Sequence, residues 1–193
     1  MPNWCSTSCK MTSLDDGKSV EKLYNILNAE CKRVKPSIPN GFGVCWLGEL
    51  VTDLGENWEK VRCRGEWESM ELLNGVLSIE IESAWAPPYE VFSLIKRHFP
   101  EIDIRYLAIE EGCCVYETND AEGKFFSERY CIDFNVDNFS DTMFFDTLEE
   151  VMRYTRKVSK RPIKTIDQAN NWNFRNAENY ININNICIVD DEF

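Results

Sequence analysis

One histidine, His98, is all that this chain of 193 residues contains, and it has no Cys-x-x-Cys pair. A Ser-His-Asp triad would depend wholly on His98, beside Arg97 and Phe99 at the predicted end of a helix. The closest cysteine pairs, Cys5/Cys9 and Cys113/Cys114, do not have structural zinc spacing, so neither a metal nor a cofactor is expected. Gly41-Phe42-Gly43 lacks the Lys-Ser/Thr of a phosphate-binding loop, and neither Gly-x-Ser-x-Gly nor His-Glu-x-x-His occurs. No apolar run approaches the roughly 18 residues of a membrane span, and the N-terminus has no basic start followed by an apolar stretch. These features predict a cytoplasmic protein without membrane contact.

The nine cysteines are odd in number and irregularly spaced, which argues against a secreted disulfide framework and predicts buried thiols packing as small apolar groups. Cys113 follows Glu110-Glu111-Gly112, and carboxylates raise a thiol's pKa, so it is a poor nucleophile. Acids such as Glu66, Glu68, Glu71, Glu80 and Glu82 read as the exposed face of strands.

Aromatic residues are plentiful, with 6 Trp, 11 Phe and 7 Tyr, as a packed globule requires. Net charge is −12, and residues 49–150 hold 24 acids against 8 bases. Such a body repels phosphate backbones and favours partners with a basic surface, or simply keeps the protein soluble. Nucleic acid is therefore disfavoured. Arg153, Arg156, Lys157, Lys160, Arg161 and Lys164 form a basic run without an acid. Thr147 and Glu150 ahead of it have capping-box spacing, so the run is either the basic end of a helix at about 147–160 or a basic patch.

Trp4 to Met11 can be a strand. Ser13 and Asp16 bracket a helix start, and Val20, Leu23, Tyr24, Leu27, Cys31 and Val34 give residues 17–34 an amphipathic helical period. A weakly periodic connection covers 42–58. Residues 59–68 and 75–85 alternate as strands, the latter with Leu77, Ile79 and Ile81 on one face. Pro87 and Pro88 suit a helix start, and Val91, Phe92, Ile95 and Phe99 form its stripe. Residues 102–109, 113–118 and 124–136 read as strands, with a turn at 119–123.

This order predicts an α+β fold, a ferredoxin-like sandwich with helices on one face of an antiparallel sheet, plus extra strands and a C-terminal helix and tail. The domain spans 1–136, and 137–193 forms an extension packed on it. Asparagines at 170, 171, 173, 176, 179, 182, 184 and 185 mark the tail, whose Tyr180–Val189 piece is either a hairpin turning at Asn184-Asn185 or an edge strand.

Met1-Pro2-Asn3-Trp4-Cys5, Gly55-Glu56-Asn57-Trp58-Glu59 and Ala84-Trp85-Ala86-Pro87-Pro88 together resemble segments of the YubB-like proteins, found mostly on phages, plasmids and other mobile elements. The resemblance covers residues 1 to about 136 and departs from the family where Asp53-Leu54 stand in place of Asn-Trp. It implies a ferredoxin-like domain and a mobile-element origin, and no activity. Trp4, Trp58, Trp85, Pro87 and Pro88 fall at element ends, where they form either a core that pins the long connection or an aromatic pocket at the end of the sheet. The expected function is a non-enzymatic, acidic interaction protein that binds a host protein as a monomer or weak dimer. The alternatives are a nucleic-acid-binding sheet and an enzyme or ligand-binding domain using carboxylates or Cys113.

Overall fold

The computed structural model describes residues 2–172, 179–190 and 193. Among them, nine strands form two sheets alongside five α-helices, an α+β architecture. The chain divides into two compact units, Met1–Asn119 with Val189–Phe193, and Asp120–Ile188.

The first unit opens with β1 (Trp4–Ser13), in which Cys5, Thr7, Cys9 and Met11 are buried on one face. Helix α1 (Lys18–Cys31) is not capped by Ser13 and Asp16 as the spacing predicts. Asp16 and Gly17 are left-handed, at φ 58° and 85°, and Asp15 supplies the cap. Its carboxylate accepts the Ser19 N–H at 3.1 Å and the Ser19 hydroxyl at 2.7 Å. These bonds hold Asp15 down at about 2.

The connection expected to be irregular contains a 3-10 turn (Gly43–Cys45), helix α2 (Leu47–Asp53) and a second 3-10 turn (Trp58–Lys60). A helix of 7 residues is too short to show a period. The strand expected at 59–68 is instead β2 (Gly65–Leu73). Asn57 accepts the Glu59 N–H at 2.9 Å and winds the chain there into the second 3-10 turn. β2 returns as β3 (Val76–Ala84) through the left-handed pair Asn74-Gly75, a two-residue hairpin. Helix α3 (Tyr89–His98) follows Pro87-Pro88, and β4 (Ile102–Glu110) and β5 (Val115–Thr118) complete the unit.

Strand order is β2-β3-β1-β4-β5, and every neighbouring pair is antiparallel. β1 and β2 are thus parallel, with β3 between them. One sheet face, with Cys9, Met11, Leu77, Ile79, Ile81, Ile104 and Tyr106, shares a core with Val20, Leu23 and Leu27 of α1 and Val91, Phe92, Leu94 and Ile95 of α3. The alternating residues are polar: Ser8 donates to Glu80 at 2.6 Å, and Lys10 to Ser78 at 2.8 Å.

The second unit contains β6 (Tyr130–Val136), β7 (Phe139–Phe145), α4 (Leu148–Ser159), α5 (Ile166–Asn170), β8 (Tyr180–Asn185) and the short β9 (Cys187–Ile188). β6 lies between β7 and β8, antiparallel to both. The sequence pattern ran β6 back to residue 124, but the Asp120 carboxylate accepts the Phe125 and Phe126 N–H groups at 2.6 and 2.9 Å and bends that stretch into a loop. β7 and α5 were not expected. Left-handed Asp137-Asn138 form the β6–β7 hairpin.

Thr147 caps α4 by accepting the Glu150 N–H at 3.3 Å. In the tail, Tyr180–Asn185 is an edge strand and does not turn at Asn184-Asn185. Asn170 fixes it, accepting the Ile183 N–H at 2.7 Å and donating to the Ile183 carbonyl at 3.0 Å. Asn173 and Asn176 lie outside the described residues. Ile132, Phe134, Val151, Met152, Ile163, Ala169, Ile181 and Ile183 form the core of this unit.

Candidate functional site: an aromatic cavity at the end of the sheet

Where β3 leaves the sheet, Ser83 donates its hydroxyl to the Ala86 carbonyl at 2.8 Å and turns the chain towards α3. Trp85 at this corner is left-handed, φ 75°, a conformation a bulky side chain adopts only under constraint. The constraint comes from both flanks: the Trp85 N–H donates to the Asn3 carbonyl, and the Ala84 N–H to the Arg64 carbonyl, each at 2.9 Å. The indole is nevertheless 49% exposed.

A cavity of about 810 Å³ opens beside it. Trp58, Trp85, Pro87 and Pro88 all line it, together with Phe42, Trp46 and Tyr89. Trp4 lies outside the lining and packs edge-on against Phe42, centroids 6.0 Å apart. Four of the five expected residues therefore share one concavity, and the fifth backs its wall.

Trp46, Phe42 and Tyr89 were missed. Trp46 is buried and meets Trp58 edge-on at 5.1 Å. Its ring covers Gly48, where an added Cβ would come within 2.4 Å of the indole. The Trp46-x-Gly48 spacing is the signal that could have revealed it, since the glycine admits the ring. Phe42 is presented by an Asn40 turn, whose side-chain oxygen accepts the Phe42 and Gly43 N–H groups at 2.7 and 2.8 Å.

Charge at the cavity is mixed. Glu59, Arg62, Arg64 and Glu90 line it and are all exposed, and Glu90 is committed to the Arg62 N–H at 2.8 Å. Cys63, also lining the cavity, is buried, and burial pushes its thiol up to about 11. Tyr89 donates to Glu117 at 2.5 Å; burial and this carboxylate raise its pKa and keep the hydroxyl protonated. An apolar wall with protonated Cys63 and Tyr89 suits the capture of a rigid apolar group, with charges at the mouth for orientation.

The six basic residues lie along α4 and the segment that follows it. Arg153, Arg156 and Lys157 project from the exposed face of α4, opposite buried Val151, Met152 and Thr155. Lys160 ends that helix at φ 54°, with its ammonium 3.5 Å from Asp137. Arg156 donates to the Ile163 carbonyl at 3.4 Å, and Arg161 and Lys164 are exposed beyond. With Glu149 and Glu150 in the first turn, the run follows the helix dipole.

The expectation of buried thiols holds for Cys5, Cys9, Cys63 and Cys131. It fails for Cys113, Cys114 and Cys187, which are exposed, and for Cys31 and Cys45, which are half-buried. A hydrogen bond with Glu110 raises the Cys113 thiol. Among the described residues, no group of three or more His, Cys, Asp or Glu is arranged to hold a metal ion. No described helix is long and apolar enough to cross a membrane. Comparison with family models, with curated proteins and with solved structures finds no match to this chain.

Proposed function

We infer that this protein acts by binding, and that the cavity at the end of the sheet receives a proline-containing segment of a partner protein with a basic surface. Trp85 carries the inference. A half-exposed indole held in left-handed backbone is a local cost, and such outliers accumulate at binding sites. Trp, Tyr and Phe side chains lining one concavity beside Pro87 suit a polyproline II segment, which is already extended and loses little entropy on docking. The net charge of −12 selects basic flanks on that segment.

The partner in this reading is a host protein, and the chain an accessory product of a mobile element akin to the YubB-like proteins. Two segments that carry the resemblance are joined by the bond from Trp85 to Asn3. The strand order β2-β3-β1-β4, with α1 and α3 sharing one face of the sheet, supports a ferredoxin-like sandwich extended by β5. Base stacking on that sheet is disfavoured by Glu66 and Glu82, which stand opposite one another in the register.

The test is a titration of tryptophan fluorescence with proline-rich peptides carrying Lys or Arg flanks, repeated with Trp58→Ala and Trp85→Gly. Saturable quenching that weakens with salt and disappears in both variants is expected. If no such peptide binds, or if single-stranded RNA competes at the same site, the protein-partner reading is wrong.

A further inference from the structure

Cys31 is the last residue of α1, and Cys45 is the last residue of the first 3-10 turn. Their sulfur atoms lie 2.9 Å apart, both residues are half-buried, and neither is in a disulfide. The approach does not depend on the thiols themselves. Buried Glu49 of α2 accepts the Arg33 guanidinium at 2.7 Å and the Ser37 N–H at 3.0 Å, so the end of α1 and the loop after it are both anchored on α2. Arg33 also pairs with Asp53 at 2.5 Å. Pro36 and Pro39 limit the conformations of the intervening segment, and Asn40 knots its far end.

We propose that Cys31 and Cys45 form a dithiol modification site that a small-molecule disulfide, such as glutathione disulfide, closes to an intramolecular bond. In the first step the thiolate of one cysteine attacks a sulfur of the oxidant, forms a mixed disulfide and expels one glutathione thiolate. In the second, the other cysteine attacks the protein sulfur of that mixed disulfide and expels the remaining glutathione. Two protein thiols are oxidised and one oxidant disulfide is reduced to two thiols, which take up the two protons released.

Asn40 and Phe42, which line the aromatic cavity, lie within the segment that the bond would close, and Trp46 follows it directly. Oxidation therefore restrains one wall of the cavity. This holds whatever occupies the cavity, and so stands apart from the binding reading. Burial and the adjoining Cys45 raise the pKa of the Cys31 thiol. The thiolate is the attacking species, so closure accelerates as pH rises.

The full chain is incubated with glutathione disulfide at pH 7 and pH 9, quenched with acid and alkylated, then digested with trypsin. Lys32 and Arg33 allow cleavage between the two cysteines, so the closed form gives one linked peptide pair of defined mass. The expected result is that pair, more abundant at pH 9, lost on reduction, and absent from Cys31→Ser and from Cys45→Ser. The proposal is overturned if Cys31 and Cys45 are recovered alkylated while exposed Cys113 and Cys114 react. Arrest of either residue at a glutathione adduct also overturns it. The wild-type digest decides the matter even where a serine variant fails to fold.

Discussion

In the second unit Phe134 is fully buried, and the rings of Phe139 and Tyr154 close on it at 5.6 and 5.8 Å. In the first unit Trp85, a larger side chain, stands half in solvent on a left-handed backbone beside an open cavity. Both are aromatic residues in β-rich surroundings, yet their energetic roles are opposed. Phe134 is buried from water and enclosed by other rings, whereas Trp85 incurs a conformational cost and leaves half of its surface wet. The difference separates aromatic residues that make a fold from aromatic residues that a fold presents.

The comparison breaks first at Phe134. Phe134→Ala should destabilise the second unit by about 3–5 kcal/mol, the usual range for deleting a buried phenyl ring. Hydrogen exchange at the β6 and β8 amides is the readout, because the loss is confined to the sheet whose centre Phe134 fills. A loss under about 1 kcal/mol would mean that this core is loosely packed, and the contrast with Trp85 would collapse.

Phe134 was legible in the sequence because Tyr130, Ile132 and Phe134 alternate, and alternation survives whatever a strand pairs with. Pairing partners are another matter. The sequence pattern places β6 with the N-terminal strands at 1–136, but its neighbours are β7 and β8, and β7 leaves no alternating pattern because most of its residues are exposed. α1, β3, α3 and β4 were legible because each carries a clean period over nine or more residues. The cavity was legible where proline or tryptophan punctuates an element end, as at Trp58 and at Trp85 to Pro88. Trp46 and Phe42 were hidden because a glycine clearance and an asparagine turn place them, and neither leaves a periodic trace.

A second unfavourable feature of the first unit sharpens the contrast. Glu30 of α1 is fully buried near Asp53, Arg33 and Glu49. Burial, and then the Asp53 charge, pushes its carboxyl up to about 9. The unfolded chain ionises Glu30 near the ordinary carboxylate range, whereas the folded chain retains the proton. Stability is therefore undiminished below that range and falls as pH rises through it towards 9. Glu30→Gln should abolish this slope and leave the protein roughly 1–3 kcal/mol more stable than wild type at pH 8, with little difference at acidic pH. Urea denaturation at the two pH values reads it; equal slopes would show that Glu30 is ionised in the folded protein.

The smallest effects test the comparison most closely, because each unit holds a non-glycine residue in the left-handed region at an exposed position. Lys160 ends α4 at φ 54°, and its pair with Asp137, 74% exposed or more on both sides, contributes little. Lys160→Gly should raise stability by about 1 kcal/mol by removing the left-handed penalty at a helix end. Trp85→Gly removes the same penalty and, with it, the half of the indole that is buried. The two terms are of similar size and opposite sign, so the net change in a denaturation curve should stay under about 1 kcal/mol. Binding should separate the two variants where stability does not. Trp85→Gly should lose the response to proline-rich peptide, and Lys160→Gly should retain it in full. If Trp85→Gly instead unfolds the first unit, the indole is a structural pin and the cavity beside it is a consequence of the fold. If it folds and still binds, the strain at Trp85 serves something other than the peptide.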